Sequence, residues 1–113
     1  KGATFSALGS YELIEKAVRD CQAKKLPYRV GNVLSSDVFY DADPNKWKAW
    51  ADLGVLGVEM EAYALYSNAA RLGKKALAIM TVSDSFHYHE ILTPEQREKG
   101  LKQMLEVALA IAE

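Results

Sequence analysis

Two short segments place carboxylates where an apolar run gives out. Val58-Glu59-Met60-Glu61 closes the run that begins at Gly54, and Thr81-Val82-Ser83-Asp84 closes the run from Ala76 to Val82. Charge beside a run that should be core is costly to desolvate, so each acid needs a reason to be there. A carboxylate accepts hydrogen bonds from vicinal hydroxyls, which suits a sugar. A second carboxyl in a partly buried site serves as a general acid when its surroundings keep a proton available. The competing reading is structural: Glu61 opens a helix and complements its dipole. Residue types and spacing reach as far as a small-molecule site with two acids, and both readings stay open.

Those acids must be held by regular elements. Ser10 is a helix N-cap ahead of Leu13, Ile14, Ala17, Val18 and Cys21 at helical spacing, a pattern that fades around Lys24-Lys25 before Pro27. Tyr28 to Leu34 is rich in β-formers and reads as a strand ended by Ser35-Ser36-Asp37. Asp43-Pro44 has the cap and first-turn proline of a second helix running to about Leu53, with Gly54 as its stop. Val55 to Val58 is a short apolar strand. Helical spacing resumes at Ala62, Leu65, Tyr66, Ala69 and Leu72 and stops at Gly73.

Ala76 to Val82 reads as a parallel strand covered on both faces, followed by a loop from Ser83 to Leu92. Thr93-Pro94-Glu95-Gln96 combines a cap, a first-turn proline and a capping-box glutamine. The last helix is expected to bury Leu101, Met104, Leu105, Ala108 and Ala112. The order α-β-α-β-α-β-α is an α/β pattern with a largely parallel sheet and one domain over 1–113. In such sheets ligands gather at the carboxyl ends of strands, where both acidic segments fall.

Other motifs carry less. His87-Tyr88-His89 sets two imidazoles two apart, but a metal site needs a third convergent ligand and no cysteine is near. Lys46-Trp47-Lys48-Ala49-Trp50 mixes basic and aromatic residues as single-strand nucleic-acid binders do, and a packed helix face is the plainer reading. There is no Walker-type loop and no GxGxxG. The formal net charge of -1 argues against a general electrostatic grip on nucleic acid or anionic membrane. No apolar run approaches the ~18 residues of a membrane span. The lone Cys21 cannot form an internal disulfide and points to a reducing, cytoplasmic setting, with a structural thiol as its role. The chain opens Lys1-Gly2-Ala3, without initiator Met or signal-peptide pattern, and reads as entered part-way.

The combination of Val58-Glu59-Met60-Glu61-Ala62, Thr81-Val82-Ser83-Asp84 and Arg97 after "TPEQR" resembles the bacterial hexameric purine nucleoside phosphorylases. "GNVLSSDVFYDADP", residues 31 to 44, resembles the segment that precedes those motifs in the same family. "VEMEA" alone admits the wider superfamily of uridine phosphorylases and methylthioadenosine nucleosidases; "TVSD" with "FYDADP" and Arg97 narrows it. The resemblance implies a three-layer phosphorylase/hydrolase-like α/β fold with a largely parallel or mixed central sheet, of which this chain is the C-terminal half.

It further implies roles for individual residues. Glu61 would accept hydrogen bonds from the ribose 2'- and 3'-hydroxyls, with Met60 against the sugar and Glu59 beside it. Phe39 and Val58 would contribute to the base pocket. Ser83 and Asp84 would face the purine, Asp84 protonating N7. Arg97 would assist by stabilising the carboxylate as the proton leaves it, a role late in the reaction rather than a fixed resting salt bridge. The implied reaction is phosphorolysis of a purine nucleoside to free base and ribose 1-phosphate. The resemblance further implies that no metal or organic cofactor takes part and that the assembly is a homohexamer.

The family's phosphate site lies in its N-terminal half. Arg19, Arg29 and Arg71 fall on elements away from the crevice, so the isolated chain is expected to lack phosphorolytic activity. The alternatives are a nucleosidase of the same superfamily, with water replacing phosphate, and a catalytically inactive nucleoside-binding module.

Overall fold

The computed structural model describes residues 2–86 and 90–112. The elements in chain order are α1 (Tyr11–Ala23), β1 (Val33–Ser35), α2 (Trp47–Asp52), β2 (Gly57–Glu59), α3 (Ala62–Arg71), β3 (Asp84–Ser85), β4 (Glu90–Ile91) and α4 (Pro94–Ile111). They fall into two compact units. One comprises Lys1–Ser10 with Arg29–Ala76, and the other Tyr11–Tyr28 with Leu77–Glu113.

In the first unit β1 and β2 pair in parallel, with Val33 opposite Gly57, Leu34 opposite Val58 and Ser35 opposite Glu59. Backbone bonds from Leu56 N to Asn32 O and from Ser36 N to Glu59 O, both 2.8 Å, extend the ladder at its two ends. The strand expected over Tyr28 to Leu34 is therefore shorter and shifted toward Ser35. Its only partner among the described residues is three residues long, and ladder pairing cannot outrun its partner. Gly31 is a point of close approach: a Cβ there would lie 2.6 Å from Leu56 Cδ1.

α2 also begins later than the Asp43-Pro44 signature suggests. The Asp43 carboxylate does accept a backbone N–H, but from Asn45 at 2.9 Å, two residues on. That geometry is an Asx turn, and a run of turns through Lys46 precedes the regular helix. α2 ends as the sequence indicates, with Gly54 at φ +79, a left-handed conformation that suits glycine. Tyr63 in α3 donates its phenolic O–H to Phe5 O at 3.0 Å, holding the N-terminal segment.

The second unit is built on the contact of α1 with α4. α1 carries the predicted stripe, and Leu13, Ile14, Ala17, Val18 and Cys21 are all half-buried. α4 starts with the full capping box: Thr93 Oγ1 accepts from Gln96 N at 3.2 Å, and Gln96 Oε1 accepts from Thr93 N at 2.9 Å. Its buried side differs from expectation. Val107 and Ile111 are buried and Met104 and Ala108 half-buried, whereas Leu101, Leu105 and Ala112 are exposed. α4 bears two apolar stripes, 101/105/109 and 104/107/108/111, and periodicity alone does not say which meets α1.

The segment Ala76 to Val82 is the main departure from the expected sheet: it carries no strand. A buried parallel strand needs a neighbour on at least one edge and cover on both faces. Met80 and Val82 are exposed here. The chain instead forms a short antiparallel hairpin within the expected loop, with Asp84 opposite Ile91 and Ser85 opposite Glu90. The result is a mixed α/β chain with a two-stranded parallel sheet and a two-stranded antiparallel one.

Candidate functional site

The loop between β2 and α3 is where the first acidic segment sits, and the structure divides its two glutamates by role. Glu59 is the last residue of β2 and half-buried. One of its carboxylate oxygens, Oε2, accepts the backbone N–H groups of Glu61 and Ala62, both at 2.6 Å. The other, Oε1, accepts the hydroxyl of Ser35, its register partner across the parallel ladder. Ser35 Oγ in turn accepts the N–H of Tyr63 at 2.9 Å. The first turn of a helix leaves N–H donors without intrahelical partners, and here Ser35 and Glu59 take three of them in succession.

Desolvation pushes the Glu59 carboxyl up, and the hydrogen bonds from Ser35, Ala62, Glu61 and Met60 together outweigh it. The net result holds the carboxyl below its ordinary value. Glu59 is thus a charged anchor at a helix N-terminus, in the place where the dipole favours an anion. The structural role open to Glu61 in the sequence belongs to Glu59. Glu61 occupies the N-cap position of α3, yet its side chain makes no capping bond. Among the described residues the Glu61 carboxylate has no hydrogen-bond or ion-pair partner and is exposed. Met60 is 40% exposed and Val58 46% exposed, so this loop presents a carboxylate flanked by accessible apolar surface.

Phe39 belongs to the same unit, in the segment between β1 and α2. Its ring meets that of Tyr40 edge-on, with centroids 4.8 Å apart and planes at 79°. Ser36 Oγ braces the start of this segment, accepting from Val38 N at 3.1 Å.

Ser83, Asp84 and Arg97 lie in the second unit. Asp84 is on β3 rather than beyond the end of a long buried strand. Ser83 O accepts the N–H of Leu92 at 3.0 Å, which closes the hairpin next to it. Arg97, in the first turns of α4, approaches Asp84 with Nη2 3.5 Å from Oδ1. Both side chains are about half exposed, at 51% and 52%. The expectation from the sequence is of no fixed salt bridge at rest; the two side chains do stand within reach of each other, at a separation where any hydrogen bond between them is weak. α4 is tied to the segment before Asp84 by Thr81, whose hydroxyl donates to Gly100 O at 3.0 Å.

The remaining sequence candidates separate cleanly. His87, Tyr88 and His89 lie outside the described residues. Among the described residues no group of three His, Cys, Asp or Glu is arranged to hold a metal ion. No helix among them is long and apolar enough to cross a membrane. Lys46 is engaged by Asp41 at 3.0 Å, and Lys48 Nζ stands 6.0 Å from the Trp47 ring centroid, so the basic-aromatic segment is tied up with its own neighbours. Partial burial pushes the Cys21 thiol up, with Asp20 adding and Lys24 opposing, which disfavours the thiolate that reactivity requires.

Ser35 is the site residue that sequence reasoning misses. It reads as a strand-ending polar residue, and its partner Glu59 is 24 positions away. Only the β1–β2 register brings them together.

Comparison with known proteins places the sequence in a family. The sequence is 44% identical over 111 residues to "Purine nucleoside phosphorylase DeoD-type 2" of Vibrio cholerae, covering 98% of this chain and 47% of that protein. It is 47% identical over 109 residues to "Purine nucleoside phosphorylase DeoD-type" of Clostridium beijerinckii, covering 96% and 46%. The protein of that name from Clostridium novyi is 45% identical over 112 residues, covering 99% and 48%. The chain spans about half the length of these curated relatives. The profile of the phosphorylase superfamily matches residues 1–113, and the chain belongs to that family.

Proposed function

We propose that this chain is the nucleoside-facing part of a purine nucleoside phosphorylase, a pentosyltransferase that exchanges a purine base for phosphate at the anomeric carbon of ribose or deoxyribose. The observation that carries the reading is the division of labour at residues 59 to 61. Glu59 satisfies the helix, which leaves the Glu61 carboxylate open for vicinal hydroxyls. The names of the relatives support the same reaction.

In this reading Glu61 accepts the ribose 2'- and 3'-hydroxyls and Met60 packs on the sugar. Phe39 and Val58 contact the base. Ser83 faces the purine, and Asp84 gives a proton to N7. The C1'–N9 bond breaks as positive charge builds on the sugar and negative charge on the departing base. The N7 proton neutralises the leaving group, a form of assistance worth ~10²–10⁴-fold. A phosphate oxygen then bonds C1', so that nucleoside and phosphate become purine and ribose 1-phosphate. Arg97 stabilises the Asp84 carboxylate once its proton has left.

In this reading the phosphate-holding residues lie outside the residues of this chain, and the 113-residue chain alone is inactive. The complete protein is a cytoplasmic homohexamer with a three-layer α/β fold, and it takes phosphate as co-substrate with no metal or organic cofactor. The test is Asp84→Asn in the full-length protein that carries this sequence. Loss of turnover by ~10²-fold or more with nucleoside binding retained supports the reading. Unchanged turnover sinks the proton-donor role, and absence of nucleoside binding by the unmutated protein sinks the reading itself.

A further inference from the structure

We propose that Ser35 is a positioning residue for the Glu61 carboxylate, acting through Glu59; this rests on the nucleoside-binding reading of Glu61. A helix usually takes its cap from its own N-cap side chain, a Ser, Thr, Asp or Asn. The N-cap of α3 is Glu61, whose side chain makes no such bond. The cap is supplied by residues of the sheet instead. Glu59 Oε2 holds the N–H groups of Glu61 and Ala62 at 2.6 Å, and Ser35 Oγ holds that of Tyr63 at 2.9 Å.

The Ser35 hydroxyl joins the two halves of this clasp. It has one proton and two lone pairs. It spends the proton on Glu59 Oε1 and a lone pair on Tyr63, which fixes the rotation of the Glu59 carboxylate as well as the first turn of α3. Ser35 and Glu59 are opposite one another at the end of the parallel ladder, and Ser36 N bonds Glu59 O at 2.8 Å just beyond. Residues 59 to 63 are therefore referenced to β1 through a hydroxyl 28 positions before Tyr63.

The backbone of Glu61 lies in the middle of that clasp, and its carboxylate is left without a partner among the described residues. A carboxylate that receives two hydroxyls of one sugar ring must be held closely, because the advantage of a preorganised site decays with small displacements. Deleting the Ser35 hydroxyl removes the bond to Tyr63 N and frees the Glu59 carboxylate to rotate. Glu61 then loses its fixed frame while its own side chain is unchanged.

The experiment measures kcat and KM of the full-length protein for inosine and for 2',3'-dideoxyinosine, with Ser35→Ala, Ser35→Cys and Ser35→Thr. The expected result is a loss of ~10-fold in kcat/KM for inosine in Ser35→Ala, mostly in KM, corresponding to the loss of a hydrogen bond to a charged group. The same variant loses under ~2-fold on the dideoxynucleoside, which has no hydroxyls for Glu61 to hold. Ser35→Thr, which keeps the hydroxyl, recovers to within ~3-fold of the unmutated protein. If Ser35→Ala does not fold, Ser35→Cys keeps the volume with a weak donor and carries the comparison.

Equal losses on both substrates show a structural role only and overturn the proposal, as does no loss on either. An unmutated protein that cleaves neither nucleoside overturns the reading of the site on which the proposal rests.

Discussion

The Glu59 carboxylate and the N–H of Ala62 meet at 2.6 Å, so the acid that ends β2 is also the anion at the start of α3. Removing it exposes a predictable deficit. Glu59→Ala leaves the N–H of buried Ala62, and the exposed N–H of Glu61, without their acceptor, a loss of about 1–3 kcal/mol. Chemical denaturation of the full-length protein measures it. A change below about 0.5 kcal/mol would mean that water serves those donors equally well.

The same contact fixes a pH dependence. The folded carboxyl of Glu59 is held below its ordinary value, so its contribution is fully present above the ordinary glutamate range, about 4.3. It is lost as the pH falls from there through the lower folded value, where proton uptake breaks the clasp. The acid limb of the stability curve should therefore flatten in Glu59→Gln, which has no proton to take up. An acid limb unchanged by that substitution would place the titrating group elsewhere.

Gly100 sits inside α4, where glycine is normally worth up to about 1 kcal/mol less than alanine. Here a Cβ would stand 2.6 Å from Thr81 Cγ2, a methyl on a stiff β-branched side chain. Gly100→Ala is therefore expected to destabilise by about 1–3 kcal/mol, against the helix-propensity trend. Pairing it with Thr81→Ser, which removes that methyl and keeps the hydroxyl bonded to Gly100 O, should recover most of the loss. Thermal denaturation of the single and double variants decides it.

Arg97 and Asp84 make a long contact between half-exposed groups, so the pair contributes little to folding. Arg97→Ala should change stability by no more than about 0.5 kcal/mol. On the proposed role of Asp84 as proton donor, the effect of Arg97→Ala falls on turnover, where a charge develops on Asp84 as the proton leaves. A variant that unfolds readily but turns over normally would reverse these roles.

The sequence announced what local chemistry decides and concealed what a neighbour decides. The Thr93–Gln96 capping box, the left-handed Gly54 and Gly73, and helices α1, α3 and α4 follow from residues within a few positions of each other. Strand extent depends on partners far along the chain, and for that reason Tyr28 to Asn32 and Ala76 to Val82 have the pattern of strands without forming them. The choice between two apolar stripes on α4 was likewise hidden, since α1 makes it. At the site, the spacing of Glu59 and Glu61 showed two acids and left their roles open. Those roles separate only when the β1–β2 register brings Ser35 to Glu59.

Product analysis separates phosphorolysis from hydrolysis in one experiment. The full-length protein that carries this sequence is incubated with inosine in the presence and absence of inorganic phosphate, and both products are identified. Hypoxanthine together with ribose 1-phosphate is expected, formed only when phosphate is present. Free ribose formed equally well without phosphate, or no hypoxanthine at all, would contradict it.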